Sequence, residues 1–268
     1  IDLNDTRCVT GDVGGVVRCW KVGEGGELAW QGIAFGRLVE VEICENIEAV
    51  LSCGDSKVVQ MWDLGSGEQR WDSEHAKVEI ETVEYDGENV IYSCHFGNIY
   101  YVDASNGELK WKTEAEDPIG CMAVSESTKS DSNIVALGYE SGIVNVFDLA
   151  NEKFLFRISS HHREITALCV TETLSVITGA NDFDVKCTGK SGSELWTYRS
   201  KAQPTALLTS GDLVVAGYRN GECHCLNIHD GSQKWILDGE EENDSGNAED
   251  EEVATARAGL AHLPSAVT

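Results

Sequence analysis

Apolar and polar residues alternate over short runs along most of this chain. The stretch 49–71, AVLSCGDSKVVQMWDLGSGEQRW, shows the pattern most clearly. It contains an apolar run, a small-residue turn, an alternating run ending in Trp62 and Asp63, a Gly-rich turn, and a short run ending in Trp71. A two-residue period is typical of strands, and Gly with small polar residues marks the turns between them. The stretch therefore predicts three antiparallel strands joined by two hairpin turns.

This unit recurs along the chain. Six copies share its order of runs and turns, at residues 8–30, 49–71, 90–111, 134–156, 175–196 and 214–235. Their closing aromatic residues are separated by 41, 40, 45, 40 and 39 positions. A further strand-like run precedes every copy but the first, at 37–44, 78–84, 119–125, 164–170 and 205–209. A period of about 40 residues with four strands per repeat predicts an all-β chain, a β-propeller of four-stranded antiparallel blades.

The two ends of the chain leave the number of blades open. Residues 1–3 resemble the end of an innermost strand whose first half is missing. After the repeats at 1–237, residues 238–252 hold nine acids and no base, which predicts a disordered acidic loop. Residues 253–268 include AGLAHL, which resembles an innermost strand. This segment either closes a six-bladed ring, removing exposed sheet edges, or begins a further blade of a seven-bladed one.

The charge of the chain narrows the classes of partner. Its 268 residues include 46 acidic and 20 basic ones, for a net charge of −26. Such a surface repels phosphate groups, so we expect neither nucleic acid nor an anionic membrane as the partner. A basic protein or peptide is favoured, although the charge also serves solubility. No apolar segment is long enough to span a membrane.

Cysteine is unusually frequent and evenly spread. The ten cysteines fall one or two to a repeat, mostly inside apolar runs: Cys8, Cys19, Cys44, Cys53, Cys94, Cys121, Cys169, Cys187, Cys223 and Cys225. Disulfide scaffolds are short and rich in loops, and this chain is neither. We expect most of the cysteines to be small buried residues, and we expect the protein in a reducing compartment, cytoplasmic or nuclear.

Several repeats resemble two propeller families. SCGDSKVVQMWD at 52–63 and IVALGYESGIVNVFD at 134–148 resemble the WD repeat, with its small turn, alternating strand and closing aromatic-Asp pair. VIYSCHFGNIYYVDASNGELKW at 90–111 is closer to the quinoprotein-like (PQQ-like) repeat. The resemblance implies a divergent propeller. WD-repeat blades often carry a structural Ser–His–Asp–Trp hydrogen-bond set, and His161 and His162 stand where that family has Gly-His, without the Gly.

One cysteine-rich motif invites comparison with a metal site. Cys223, His224 and Cys225 are consecutive, and His229 follows closely. In a strand, alternation sends the two cysteines to one face and His224 to the other. No second paired-ligand motif supplies further donors. We therefore predict a packing role and no metal.

The remaining polar candidates also have structural explanations. His161 and His162 lack the nucleophile and orienting partner that catalysis needs, so a structural role is predicted. Asp182 and Asp184 lack the spacing of a calcium loop and suit a tight turn. The glycines fall at hairpin turns and form no phosphate-binding loop. We expect no enzymatic activity and no cofactor.

The turn between the second and third strands of each blade opens on one face, called the rim here. Its residues vary in chemistry from blade to blade: Asp12, Asp55, His95, Tyr139, Glu140, Asn181, Tyr218 and Arg219. A turn requires only small residues, so folding does not explain Tyr139, Tyr218 and Arg219, and Tyr and Arg are favoured interface anchors. The rim residues are our binding candidates. The alternative is that they are solvated turn residues.

These observations lead to one hypothesis and two alternatives. The hypothesis is a noncatalytic protein–protein interaction scaffold that uses the rim and belongs to a larger assembly. The alternatives are a quinoprotein-type dehydrogenase and an envelope assembly factor of the PQQ-like class, both suggested by the repeats at 90–111 and 214–235. The ten cysteines disfavour an oxidising envelope compartment. Fold alone does not decide between them.

Overall fold

A computed structural model describes residues 1–23, 26–73, 75–94, 97–115, 117–125, 133–149, 151–159, 161–171 and 173–238. It contains six four-stranded antiparallel sheets, and in each sheet the strands follow chain order. The predicted all-β propeller of four-stranded blades is thus confirmed. The acidic stretch, apart from its first residue Asp238, and the C-terminal segment at 253–268 lie outside the described residues. The chain divides into two compact units, Ile1–Glu126 and Ser127–Thr268.

Unit 1 contains three complete blades. Its strands are β1 Asp2–Leu3, β2 Arg7–Gly11, β3 Val16–Lys21, β4 Leu28–Ile33, β5 Leu38–Cys44, β6 Ala49–Gly54, β7 Val59–Asp63, β8 Gln69–Ser73, β9 Ile80–Tyr85, β10 Asn89–Cys94, β11 Asn98–Asp103, β12 Leu109–Glu114 and β13 Ile119–Ser125. One short 3₁₀ helix, Glu45–Ile47, lies between β5 and β6. In the second strands of the second and third blades, all six residues of β6 and of β10 are buried.

Unit 2 contains the remaining strands. They are β14 Ile134–Tyr139, β15 Ile143–Asp148, β16 Lys153–Ser159, β17 Ile165–Val170, β18 Val176–Ala180, β19 Asp184–Thr188, β20 Glu194–Arg199, β21 Pro204–Ser210, β22 Leu213–Tyr218, β23 Cys223–Asn227 and β24 Gln233–Leu237. The predicted innermost strands correspond to β5, β9, β13, β17 and β21, each within two residues at either end. The fourth strands are the most exposed, as in β16, where only Ile158 is buried.

Apolar side chains of neighbouring blades form the cores between them. In unit 1, one cluster joins the first and second blades through Val17, Trp30 and Trp62, and another joins the second and third through Met61, Trp71 and Tyr92. In unit 2, Ile177 and Trp196 of the fifth blade pack with residues of the sixth. Because each sheet buries both faces only by stacking on a neighbour, no blade is stable alone.

Three tryptophans on fourth strands tie a blade to the next one along the chain. They are Trp30, Trp71 and Trp196, all buried. Each indole Nε1 donates, at 2.8 Å, to a carbonyl in the turn between the third and fourth strands of the following blade; the acceptors are Leu64, Ala104 and Ile228. Each of these turns also contains a glycine that packs closely on the indole ring; the three glycines are Gly67, Gly107 and Gly231. The packing role predicted for this repeated position is confirmed at these three tryptophans, whereas Trp111 and Trp235 are half-buried.

Carboxylates on the innermost strands of unit 1 accept backbone hydrogen bonds from the next innermost strand. The bonds run from Ile43 N to Asp2 Oδ2 (2.7 Å), from Val83 N to Glu40 Oε2 (2.8 Å) and from Tyr85 N to Glu42 Oε1 (3.1 Å). A side-chain oxygen thereby satisfies amides that no neighbouring strand pairs. These bonds link β1 to β5 and β5 to β9.

The same arrangement crowds four acids into a poorly solvated space. Burial raises the pKa of Glu84 to about 8, with further contributions from the charges of Glu40 and Asp2. Burial and the charge of Glu84 also raise the pKa of Glu42, whose Oε2 is buried without a hydrogen-bond partner. The pKa of Glu40 is raised mainly by burial. Folding therefore favours the protonated form of Glu40, Glu42 and Glu84.

Candidate binding groove on the rim

The rim of unit 2 is held by backbone hydrogen bonds between turns and interblade connectors. The turn between the second and third strands of a blade donates to the connector before that blade, from Asn181 N to Glu164 O (3.0 Å) and from Arg219 N to Gln203 O (2.9 Å). The same turn accepts from the connector after its blade, as Phe183 O does from Ser200 N (3.0 Å). These bonds fix the turns relative to one another, so the side chains they carry project from a preformed surface.

One position in these turns has a left-handed backbone in every blade. It is occupied by Gly15, Lys57, Gly97, Gly142, Phe183 and Gly221, with φ between 66° and 88°. Glycine adopts this conformation without strain, whereas a bulky side chain costs about 1–2 kcal/mol. In the fifth blade the residue is Phe183, with φ 72° and 42% of its surface exposed. Folding alone does not favour an exposed, strained aromatic residue at this point.

Phe183 lies in a groove of about 930 Å³ on the rim of unit 2. The groove is formed by three successive turns and the two connectors between them, and its lining is Glu140, Arg163, Glu164, Asn181, Phe183, Ala202, Gln203, Arg219 and Asn220. The lining combines an aromatic ring with charged side chains and neutral amides. The groove therefore offers both an apolar contact and groups that fix a ligand's orientation.

The charged groups of the groove are sparsely paired. Glu164 Oε2 accepts from Asn181 Nδ2 at 2.6 Å, and Arg219 Nη1 donates to Gln203 Oε1 at 3.3 Å. Arg163 and Glu140 are exposed, and neither forms an ion pair within the described part of the chain. Considering the described residues alone, the groove thus holds two guanidinium groups without carboxylate partners, in a chain of net charge −26.

The structure brings together three of the predicted rim residues. Glu140, Asn181 and Arg219 all line the groove. The sequence interpretation missed Arg163 and Gln203, because it considered the turns and not the connectors. It also missed Phe183, although aligning ANDF at 180–183 with YESG at 139–142 and YRNG at 218–221 places this residue against glycines.

Two predicted rim residues require correction. Tyr139 and Tyr218 are only 3% and 5% exposed, so the idea that folding leaves them unexplained is wrong. Each is the last residue of its second strand and is buried there, and Tyr218 packs in the core between the fifth and sixth blades. The ring of Tyr218 lies 4.3 Å from that of His224, and Asn145 Nδ2 donates to the Tyr139 hydroxyl at 3.3 Å.

The rim candidates of unit 1 have local partners or fall outside the described residues. Asp12 Oδ1 accepts from Gly14 N and Val16 N, and its Oδ2 pairs with Arg18 at 2.7 Å. The hydrogen bond from Val16 and then that from Arg18 lower the pKa of Asp12. Asp55 Oδ1 accepts from Arg37 N at 2.8 Å and so ties its turn to the preceding connector. His95 lies outside the described residues.

His161 belongs to a buried hydrogen-bonded set within the fifth blade. Its Nδ1 lies 2.9 Å from Asp182 Oδ1, and its Nε2 lies 2.8 Å from Thr178 Oγ1. A hydroxyl, an imidazole and a carboxylate in this order resemble a hydrolase triad. Thr178 is fully buried, however, and the His161 side chain has no exposed surface, so no substrate can reach them. Burial lowers the pKa of His161, against the raising effect of Asp182. The set holds the connector, the turn and strand β18 together.

Replacing His161 by Ala is expected to lower the free energy of unfolding by about 2–4 kcal/mol, because Asp182 and Thr178 lose their shared buried partner. The adjacent His162 is exposed, and His162→Ala should change stability by less than about 0.5 kcal/mol. Urea unfolding of both variants measures the difference. Equal effects of the two substitutions would contradict the assignment.

The Cys223–Cys225 segment is accounted for by packing. His224 is 3% exposed, its Nδ1 lies 3.0 Å from the Tyr198 hydroxyl, and its Nε2 lies 3.1 Å from Glu222 Oε2. Cys225 is the next residue of the strand, so its side chain points to the opposite face of the sheet, where it is fully buried. Both ring nitrogens of His224 are therefore occupied by protein groups. Across the described residues, no three His, Cys, Asp or Glu side chains are grouped so as to hold a metal ion.

The ten cysteines are all free thiols. Six of them are fully or almost fully buried, and burial raises the pKa of Cys94 and of Cys169 to about 12. Such thiols are poor nucleophiles at neutral pH. Within the described chain there is also no helix with the length and apolar character that a membrane span requires.

Two known proteins resemble this chain, one in structure and one in sequence. A solved structure, that of Sqt1 from Saccharomyces cerevisiae, superposes with a TM-score of 0.78 over 91% of this chain and 76% of that chain. At 16% sequence identity, this likeness shows the fold alone. A curated relative, the outer membrane protein assembly factor BamB of Burkholderia pseudomallei (strain K96243), is 25% identical over 157 residues. That match covers 56% of this chain and only 39% of the relative's length.

The strongest assignment comes from a family model. The model PQQ_2, described as outer membrane protein assembly factor BamB, matches residues 4–167 and so covers more than half of the chain. Together with the two likenesses above, this match confirms the resemblance of the repeats to PQQ-like and WD-repeat propellers. The chain belongs to the PQQ_2 family of β-propeller proteins.

Proposed function

We propose that this protein is a noncatalytic interaction scaffold that holds a protein partner on the rim groove of unit 2. The observation that carries the proposal is Phe183, a strained and 42%-exposed aromatic residue placed between Arg163 and Arg219 in a preformed groove. Exposed aromatic and Arg side chains at the centre of a concave surface are typical of interface hot spots. Membership in a propeller family supports a scaffold, because such folds present loops from several blades on one face.

The chemistry of the described residues supports a binding role over a catalytic one. Two sets of a hydroxyl, an imidazole and a carboxylate are described: the His161 side chain in one has no exposed surface, and the His224 side chain in the other is buried between Tyr198 and Glu222. The charged groups of the groove include no described His or Cys that could act as a base or nucleophile there. A partner held on the groove would meet fixed charges and one aromatic ring, which give affinity and orientation.

The proposal is tested by partner capture with groove and control variants. The double variant Arg163→Ala/Arg219→Ala should lose at least about 90% of a partner that the wild type captures, because each lost Arg anchor costs about 1–2 kcal/mol. The matched control is Lys190→Ala/Lys234→Ala, which removes the same charge from exposed positions of unit 2 outside the groove. The partner, identified by mass spectrometry, is then quantified with purified components. Equal loss in both double variants would refute the groove.

Phe183→Gly separates binding from folding. Glycine relieves the left-handed strain, so the midpoint of thermal unfolding should stay unchanged or rise by about 1–4 °C. Partner capture should nevertheless fall, because the aromatic contact is lost. Calorimetry and quantitative capture measure the two effects on one sample. A variant that loses both stability and capture would show that Phe183 serves packing instead.

A second candidate function follows from the family match. The curated relative's name is that of an outer membrane protein assembly factor, and a role in protein assembly is compatible with a scaffold. For this chain we propose a scaffold in a reducing compartment, cytoplasmic or nuclear, and not in the cell envelope. Its ten free thiols, several of them buried, favour such a compartment. Thiol-specific labelling in the intact source cell tests the point, since disulfide-bonded protein there would favour the envelope.

The dehydrogenase alternative is tested by adding the quinone cofactor and calcium and assaying dye-linked alcohol oxidation.

A further inference from the structure

We propose that the Arg219 end of the rim groove recognises a side-chain carboxylate in an extended segment of the partner, next to an apolar side chain that contacts Phe183. This inference rests on the proposed scaffold function and names the chemistry of its partner. It differs from what the net charge alone suggests, because a chain of net charge −26 favours basic partners in general.

Arg219 is positioned to bind a carboxylate. Its backbone N–H is fixed to Gln203 O at 2.9 Å, and its Nη1 donates to Gln203 Oε1 at 3.3 Å. Gln203 thus orients the guanidinium group without neutralising it. The remaining guanidinium N–H groups have no carboxylate partner among the described residues, and the planar guanidinium suits bidentate binding of a carboxylate.

The acid nearest to Arg219 in the chain is already engaged. Glu222 Oε2 lies 3.1 Å from His224 Nε2. Hydrogen bonds from Asn220 and His224 lower the pKa of Glu222, so it stays ionised but is directed toward those groups. The carboxylate that complements Arg219 must therefore come from a partner.

The two ends of the groove differ in charge, which gives the site a direction. At the fourth-blade end, the lining is Glu140 from the turn and Arg163 and Glu164 from the connector that follows that blade, so acids outnumber bases there. At the sixth-blade end, Arg219 is accompanied by the neutral amides of Gln203 and Asn220. A segment with an acid at one end only fits this distribution, whereas a polyacidic segment would meet Glu140.

Phe183 occupies the turn between these two ends. Its exposed ring supplies the apolar contact of the groove, flanked by Ala202 of the next connector. A peptide whose Leu lies two residues from an Asp would place both side chains on one side of an extended backbone. The inferred recognition element is therefore one carboxylate beside one apolar residue.

The test uses the full chain, ¹⁵N-labelled, and four short peptides with acetylated and amidated ends. The peptides carry Asp and Leu two residues apart, or Asn in place of Asp, or Ala in place of Leu, or both changes. We expect the Asp–Leu peptide to shift the Phe183 amide and Arg219 side-chain resonances and to bind about tenfold more tightly than the Asn–Leu peptide. Arg219→Ala should remove the preference for Asp, and Lys190→Ala should retain it.

Two results would overturn the inference: equal affinity of the wild type for the Asp and Asn peptides, or a preference for Asp that survives Arg219→Ala. These results are distinct from failure of the scaffold proposal. If the double Arg variant loses its protein partner while wild type binds both peptides equally, the scaffold stands and the carboxylate inference falls. If partner capture is independent of the groove while Arg219 still selects Asp, the scaffold proposal falls and the inference about this site stands.

Discussion

Replacing Gly67 by Ala is expected to lower the free energy of unfolding by about 2–4 kcal/mol, although only one methyl group is added. About 1 kcal/mol of the loss comes from the left-handed backbone, where φ is 74°. The rest comes from Trp30, because a Cβ at Gly67 would stand 2.6 Å from its Cδ2. The indole cannot retreat without losing its 2.8 Å hydrogen bond to Leu64 O.

The fifth blade supplies a matched control. Gly192 occupies the equivalent turn with φ 78°, but an added Cβ there meets no atom within 4 Å. The closing aromatic of the preceding repeat is Phe156 instead of Trp. Gly192→Ala should therefore cost only the backbone strain, about 1 kcal/mol. Urea unfolding of the two variants isolates the contribution of the indole contact.

A double-mutant cycle sharpens this prediction. Trp30→Leu removes the ring that an Ala at position 67 would strike, so the two substitutions together should cost less than the sum of their separate effects, by about 1–2 kcal/mol. Additive effects, or equal effects of Gly67→Ala and Gly192→Ala, would show that the turn glycine is required for its backbone alone.

The repeated tryptophans show what the sequence pattern can predict. Trp30, Trp71 and Trp196 recur at one position of the repeat, and a recurring position must be a packing position, because every repeat stacks on its neighbours. The pattern does not reveal that the partner of each indole is a turn glycine in the following blade. That contact joins residues more than 30 positions apart, and it depends on how the blades stack.

The errors at Tyr139 and Tyr218 have a common physical cause. Both residues directly precede a turn, and the sequence pattern alone places them in that turn, where a large side chain indicates an interface anchor. In the structure the strands extend one residue further, and strand alternation sends both rings into the core. Element boundaries are set by tertiary hydrogen bonds, such as the one from Arg219 N to Gln203 O, which no local pattern contains.

The groove illustrates the opposite case, in which a local signal was present. Phe183 occupies a position that glycine fills in four of the six blades, and an alignment of the turns shows this without a structure. Arg163 could not be found in this way. It lies on a connector, and its proximity to the turns follows from the hydrogen bonds between connectors and turns.

The acids of the innermost strands predict an unusual dependence of stability on pH. Most proteins gain stability as their carboxylates ionise, because those carboxylates are paired or hydrogen-bonded in the folded state. Here burial raises the pKa of Glu84 from its ordinary 4.5 to about 8, and the pKa of Glu42 and of Glu40 is raised as well. A raised folded-state pKa gives stability that is complete below the unfolded-state pKa and is lost as the pH rises through the folded-state pKa.

For Glu84 the loss falls between about pH 4.5 and pH 8. Each pH unit in that window costs up to about 1.4 kcal/mol, reduced by the partial exposure of the side chain and by its coupling to Glu40 and Glu42. We therefore expect the wild type to lose about 2–3 kcal/mol of unfolding free energy between pH 5 and pH 8 through this cluster. The charged groups that act on Glu84 in this cluster, Asp2, Glu40 and Glu42, are all acids.

Glu84→Gln should remove most of this dependence. A neutral amide resembles the protonated acid, so the variant should match the wild type at pH 5 and exceed it by about 2 kcal/mol at pH 8. Glu79→Gln is the control, because it removes the same charge from an exposed position just before β9 and should shift stability by less than about 0.5 kcal/mol. Urea unfolding of the wild type and both variants at pH 5 and pH 8 gives the change in unfolding free energy that each substitution causes at each pH. If both variants gain the same unfolding free energy at pH 8, the gain comes from lowering the net charge of −26. That result would contradict the role of the cluster around Glu84.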